Sequence, residues 1–220
     1  MPDSHRSVPQ PQCEIPRFAP DQRLPPYSYV PGRFPHPVSD PQGHSFGADP
    51  LPAELLEPDR WQTCRAYLYG VDLFNHGYYW ESHEAWEGLW HACGRTGPTG
   101  WFLKGLIKLA AAGVKAREEN TRGMHRHARR AAELFQQTAH AGRVCSEQNF
   151  GRSAPTSNFG AQIDQPMAAH ALTAEDLRFM GLFLTELIRF ACEIANRTTT
   201  LTPSHQHSVE VVFNFVLHLS

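Results

Sequence analysis

The chain has 220 residues, 41% of them hydrophobic and 19% charged, with a formal net charge of -2. That is enough apolar material for one domain with a core, and the near-neutral balance excludes a global electrostatic case for nucleic acid or for an anionic membrane surface. The apolar run Gly105 to Val114 carries Lys108 and is too short to cross a bilayer; the N-terminus lacks the apolar segment of a secretory signal. The expectation is a cytoplasmic protein with no membrane and no nucleic-acid partner. Cys13, Cys64, Cys93, Cys145 and Cys192 are widely spaced and form no C-x-x-C pair, which argues against a disulfide framework and a thiolate zinc site.

Residues 1–50 are rich in proline, which fixes the backbone and removes a donor, so neither helix nor central strand is expected there. Residues 1–20 read as disordered. Residues 21–50 differ, because Tyr27, Tyr29, Phe34 and Phe46 are too many aromatics to stay solvated cheaply. They predict an arm packed across the helices. A helical domain follows over 51–197. Residues 53–57 suit one short turn. Apolar periodicity predicts a first helix from Pro58 to Asn75, ended by Asn75-His76-Gly77, and a second from Tyr78 to Cys93. Pro98 opens a third, to Arg117, that is apolar nearly all round and therefore central. A fourth runs from Asn120 to Ala139. Residues 140–171 read as a loop. Thr173 and Asp176 resemble a capping box that opens a fifth helix, Thr173 to Asn196. The tail, 198–220, contains VEVVFNFVLHLS, which suits an edge strand or a docked segment. The fold class is all-α: an antiparallel bundle of about five helices with the arm packed across it.

The second helix carries the chemistry. At about 100° per residue, His83, Glu84, Glu87 and His91 share an arc of about 100°, opposite the apolar face of Ala85, Trp86 and Leu89. Trp80 and Trp90 sit among them. His and carboxylate oxygens bind Zn or Mn, and spacings of three or four put two ligands on one face. His83 with Glu87 fits. The motif is not H-E-x-x-H, because Glu87 stands where the second His would be.

The same residues also fit a salt-bridge seam. In a tight hairpin between the second and third helices, Glu87 meets Lys104, His83 or Glu84 meets Lys108, and Lys115 comes near His76. Partly buried charges need such partners. The arm offers His36, Asp40 and His44, which suit a lid supplying a further ligand; one of the three is then expected within about 8 Å of His83 or Glu84. Their other reading is turn chemistry around Asp40-Pro41 and Gly43. His125, Arg126, His127, Arg129 and Arg130 form a basic stripe that suits phosphate or, more plainly, a solvated helix face.

The stretch FNHGYYWESHEAWEGLW, followed by FLKGLIKLAAAGVKAREENTRGMHRHARRAAELF, resembles domain-of-unknown-function family 309. That family's pattern runs F-N-x-G-x-Y-x-E-x-H-E-x-x-E-x-x-W, then G-L-I-Q-x-A-A-A. The resemblance covers about residues 61–138 and implies a small all-helical domain with no established activity. Its motif positions here are Phe74, Asn75, Gly77, Tyr79 (or Tyr78), Glu81, His83, Glu84, Glu87 and Trp90. Lys108 and Lys115 stand where the family often has Gln and His, and a protonated lysine cannot ligate a metal.

Two functional readings follow. In the first, the protein is a metal-assisted hydrolase: His83 and Glu87 hold a divalent ion such as Zn or Mn, Glu84 is general base, and Lys108 completes the catalytic set. Asn75, Tyr79, Glu81, Trp90 and Lys104 then line the pocket, with His36, Asp40 and His44 above it. In the second, it is a non-catalytic binding or scaffold domain whose His/Glu face is a seam with Lys104 and Lys108. The partner is a small molecule or a protein.

Overall fold

The computed structural model describes residues 15–48, 55–150, 177–197 and 207–220, with the side chains of 143–150 left aside. It is predominantly helical. A 3-10 helix, Pro58–Thr63, leads into α1 (Arg65–Asn75), α2 (Tyr79–Ala92), α3 (Gly97–Arg117), α4 (Thr121–Phe150) and α5 (Leu184–Ala195), and one two-stranded hairpin, β1 (Arg178–Phe179) and β2 (Leu182–Phe183), precedes α5. α3 packs against both α2 and α4, α1 against α2, and α5 against α4. The central place of α3 follows from its composition: Phe102, Leu103, Leu106, Ile107, Leu109, Ala110 and Val114 are buried around its circumference.

The helix ends are set by local chemistry. Gly77 has φ 85° and closes α1, with Gly77 N–H donating to Phe74 O at 3.1 Å and Tyr78 N–H to Leu73 O at 2.8 Å. These are the two bonds of a Schellman cap, and the positive φ suits glycine. Asn120 caps α4, its Oδ1 accepting Gly123 N–H at 2.8 Å.

Three boundaries differ from the sequence reading. The first helix does not run from Pro58: Arg60 has non-helical angles and Cys64 is extended, so a 3-10 turn is joined to α1 at an angle. The apolar spacing continues across this break, which is why it reads as one helix. α4 continues to Phe150, through the start of the segment read as a loop over 140–171. The fifth helix begins at Leu184, not Thr173, because Met180 and Gly181 both have positive φ, 46° and 80°, and make a two-residue turn between β1 and β2. Such primed turns match strand twist, and Tyr67 OH fixes this one by donating to Met180 O at 2.8 Å. Thr173, Asp176, residues 151–171 and residues 53–54 lie outside the described residues.

The segment read as disordered has a fixed end. Phe18 N–H and Ala19 N–H donate to the Asp72 carboxylate at 2.7 and 2.8 Å, and Arg17 Nε reaches it at 2.9 Å; residues 1–14 lie outside the described ones. Further along the arm, Tyr29 N–H donates to Glu81 Oε1 at 2.8 Å, and Tyr29 and His36 both pack edge-on against Trp80. Among the described residues of the tail, 207–220, no strand forms. They make an irregular segment that buries Phe213 and Leu217 against the helices.

Candidate functional site

α2 presents two different polar surfaces. Its first turn, with the end of α1, forms a buried corner. Asp72 is fully buried, and Asn75 and Glu81 are 2% and 6% exposed. Each is occupied by the chain itself: Asp72 by residues 17–19, Glu81 by Tyr29 N–H and by His44 Nε2 at 3.2 Å, Asn75 by both main-chain groups of Leu217. The Tyr79 hydroxyl accepts Val212 N–H at 3.1 Å, and burial raises its pKa above the ordinary phenol value.

One to two turns further along, α2 carries an accessible cluster. His83 Nδ1 lies 3.1 Å from Glu84 Oε1 and 4.0 Å from Glu87 Oε2. Each of the three residues offers one ligand atom, and these atoms lie within 4.8 Å of one another. His83 and Glu87, four apart, stack on successive turns of the helix, and Glu84, the next residue along, bends its carboxylate back to His83. Both carboxylates lie on the Nδ1 side of the imidazole, so the three groups converge on one point of the helix edge.

Cations from α3 and α4 flank this cluster. Lys104 Nζ lies 3.9 Å from Glu87 Oε1 and 3.7 Å from the centre of the Trp90 ring. That pairing of Glu87 with Lys104 is the expected register of the α2–α3 hairpin. Lys108 does not follow it: among the described residues neither His83, Glu84 nor Glu87 forms an ion pair with it. Burial lowers its pKa, Lys104, Arg126 and Arg130 lower it further, and Glu87 opposes them. His127 is held down to about 4, chiefly by burial and then by Lys108, Arg126, Lys115 and His83. Lys115 turns to Glu118 at 2.6 Å, while His76 Nδ1 bonds the Asp72 carbonyl at 2.8 Å.

The expected residues therefore separate. His83, Glu84, Glu87 and Lys104 come together, with Lys108 beside them. Trp90 lies under Lys104. Asn75, Tyr79 and Glu81 belong to the buried corner. The arm residues stay out of the His83 group among the described residues: His44 bonds Glu81 and Ser45, Asp40 Oδ1 caps its own turn by accepting Gln42 N–H at 2.9 Å, and His36 accepts from Val38 and Ser39 N–H. Sequence reading overlooked Asp72 and Arg117. Asp72 is a lone charge in an apolar helical stretch, and a buried charge demands partners; that was the available signal, whereas Arg117 sits among Lys115, Glu118 and Glu119 and carried none. Sequence reading also places His127 on a solvated stripe, whereas His127 is half-buried, and that burial is the main cause of its lowered pKa.

Fold and site together define a helical domain with a His/carboxylate cluster on one helix and a lysine-bearing partner helix. Residues 67–127 match the family model described as Domain of unknown function (DUF309), so this segment is similar to that family. The matched segment holds α1 from Tyr67, all of α2 and α3, and the start of α4, so it contains every member of the cluster; the arm and the tail lie outside it. No curated protein and no solved structure matches the chain. Among the described residues, no helix is long and apolar enough to cross a membrane.

Proposed function

We propose that the protein is a metal-assisted hydrolase acting on an anionic small molecule, built on an antiparallel helical bundle with the N-terminal arm strapped across it. His83 and Glu87 hold a divalent ion such as zinc or manganese, and Glu84 serves as base for a water. Lys108, half-buried and without an anionic partner among the described residues, receives the substrate's negative charge. The observation that carries this reading is the convergence of three ligand atoms within 4.8 Å on an accessible helix edge. Small rotations close that spread to the separations set by metal–ligand bonds of about 2.0–2.2 Å. When bound, the ion supplies Lewis acidity and an acidified water.

A second reading has its own support. Glu87 at 3.9 Å from Lys104, with Lys104 seated on Trp90, is a complete structural contact that needs no ion. In that reading the domain is a scaffold and the seam fixes hairpin register. Calorimetric titration of tag-free protein with zinc and manganese separates the two. The hydrolase reading expects saturable binding of one ion per chain, abolished by His83→Ala and by Glu87→Gln. A flat titration would leave the scaffold.

A further inference from the structure

The first three turns of α4 concentrate positive charge. Residues 121–132 hold four arginines and no acidic residue, in a chain whose formal net charge is -2. At about 100° and 1.5 Å per residue, Arg122, Arg126 and Arg129 fall within about 60° of one another and span about 10 Å of helix. They form one ridge, and all three are exposed. Two other helical arginines have an acid one turn away: Arg130 bonds Glu133 and Arg189 bonds Glu193, both at 2.7 Å. The acids just before α4 are already engaged, Glu118 with Lys115 and Glu119 with Arg33. Among the described residues Arg122, Arg126 and Arg129 form no ion pair.

Like charges three and four apart on a helix repel, so the ridge is held against its own electrostatics. A solvated face has no need of that arrangement, whereas an anion seated between the guanidinium groups removes the repulsion. The surface there is also concave. A cavity of about 800 Å³ opens along the ridge, with Arg122, His125, Arg126 and Arg129 in its lining, which is the size of a small-molecule site. The helix end is not the feature, because Asn120 Oδ1 already caps it through Gly123 N–H at 2.8 Å. Each guanidinium fork takes two oxygens of one anionic group, and three forks along about 10 Å of helix suit more than one such group. Residues 117–134 contain no Phe, Tyr or Trp on which bases could stack, which disfavours single-stranded nucleic acid.

We propose that this ridge is a binding site for a small polyanion bearing two or more phosphoryl groups, held by the guanidinium groups of Arg122, Arg126 and Arg129. The ridge shares no residue with the His83, Glu84 and Glu87 cluster. Binding there neither requires nor excludes an ion on α2.

Calorimetric titration of the full chain with sodium tripolyphosphate, at about 0.15 M ionic strength and with no divalent ion added, tests the site. The expected result is saturable binding of one tripolyphosphate per chain, weakened at least tenfold by Arg126→Gln. Arg130→Gln, on the same helix but paired with Glu133, should leave the affinity within about twofold of the parent, and His83→Ala should leave it unchanged. Arg126→Gln should also melt no lower than the parent, because it removes repulsion and no ion pair. A flat titration of the parent overturns the inference, and so does equal weakening by Arg130→Gln, which would mean diffuse charge instead of a site. Citrate bound as tightly as tripolyphosphate would overturn the phosphoryl assignment. Tighter binding of an RNA duplex, or of vesicles containing phosphoinositides, would give the ridge to a macromolecular surface and overturn the small-molecule assignment.

Discussion

Seven residues of one helix separate two kinds of polar chemistry. Glu81 faces the corner where the arm and tail meet, and it is bonded by the chain itself. His83, Glu84 and Glu87 face a part-exposed edge, and among the described residues their partners are each other and Lys104. The corner is structural: its carboxylates and amide tie irregular segments to the helices by bonds that leave no coordination capacity on Asp72 and Asn75. The edge keeps its lone pairs available. A polar motif on a helix is thus divided by what packs over it, and the candidate chemistry falls to the part left accessible.

The comparison breaks most sharply at Asp72. Asp72→Ala strands Phe18 and Ala19 N–H groups and the Arg17 guanidinium around a buried site. The expected loss is about 3–5 kcal/mol, as for removal of one partner of a buried ion pair, read as a lower midpoint in urea unfolding. A midpoint within error of the parent would show that the arm's first anchor carries no stability. Gly77→Ala follows. At φ 85° the new Cβ costs about 1–2 kcal/mol from backbone alone, and it would stand 2.6 Å from Glu210 O, so the tail must also move. Thermal unfolding should register the loss, and the Val212 amide should exchange faster with solvent.

A third effect lies at the edge and appears only as pH dependence. His127 sits at about 4 in the folded chain against an ordinary value of 6.5. Between those values the unfolded chain binds a proton that the folded chain refuses. Stability therefore falls as pH drops from 6.5 toward about 4, and levels off below. His127→Gln should remove that part of the slope while leaving stability near pH 8 almost unchanged. Parallel pH profiles for parent and variant would refute the burial of His127 among the cations of α3 and α4.

Much of the helical frame was legible in the sequence. The burial of α3 follows from a helix apolar on every side, and the end of α1 from Asn75-His76-Gly77, because only a residue tolerant of positive φ closes that cap. The Glu87–Lys104 pairing follows from a short turn and a shared spacing of four. The hairpin before α5 was not legible, although Met180-Gly181 marks it. A glycine in an amphipathic stretch reads equally well as a tolerated helical position, and Tyr67, 113 residues earlier, settles the choice by bonding Met180 O. The break at Cys64 was hidden because apolar periodicity persists through it.

The sequence by itself determined that the chain is mostly helical, which family its central segment resembles, and that His83, Glu84 and Glu87 lie on one helical edge. Local hydrogen bonding and side-chain period suffice for those statements. Tertiary structure alone decided that Asn75, Tyr79 and Glu81 serve the chain's own arm and tail, that Lys108 forms no ion pair with the neighbouring carboxylates among the described residues, and that His127 is half-buried. Those outcomes depend on which distant backbone groups arrive to satisfy a buried polar atom, and desolvation makes that requirement strict without naming the partner.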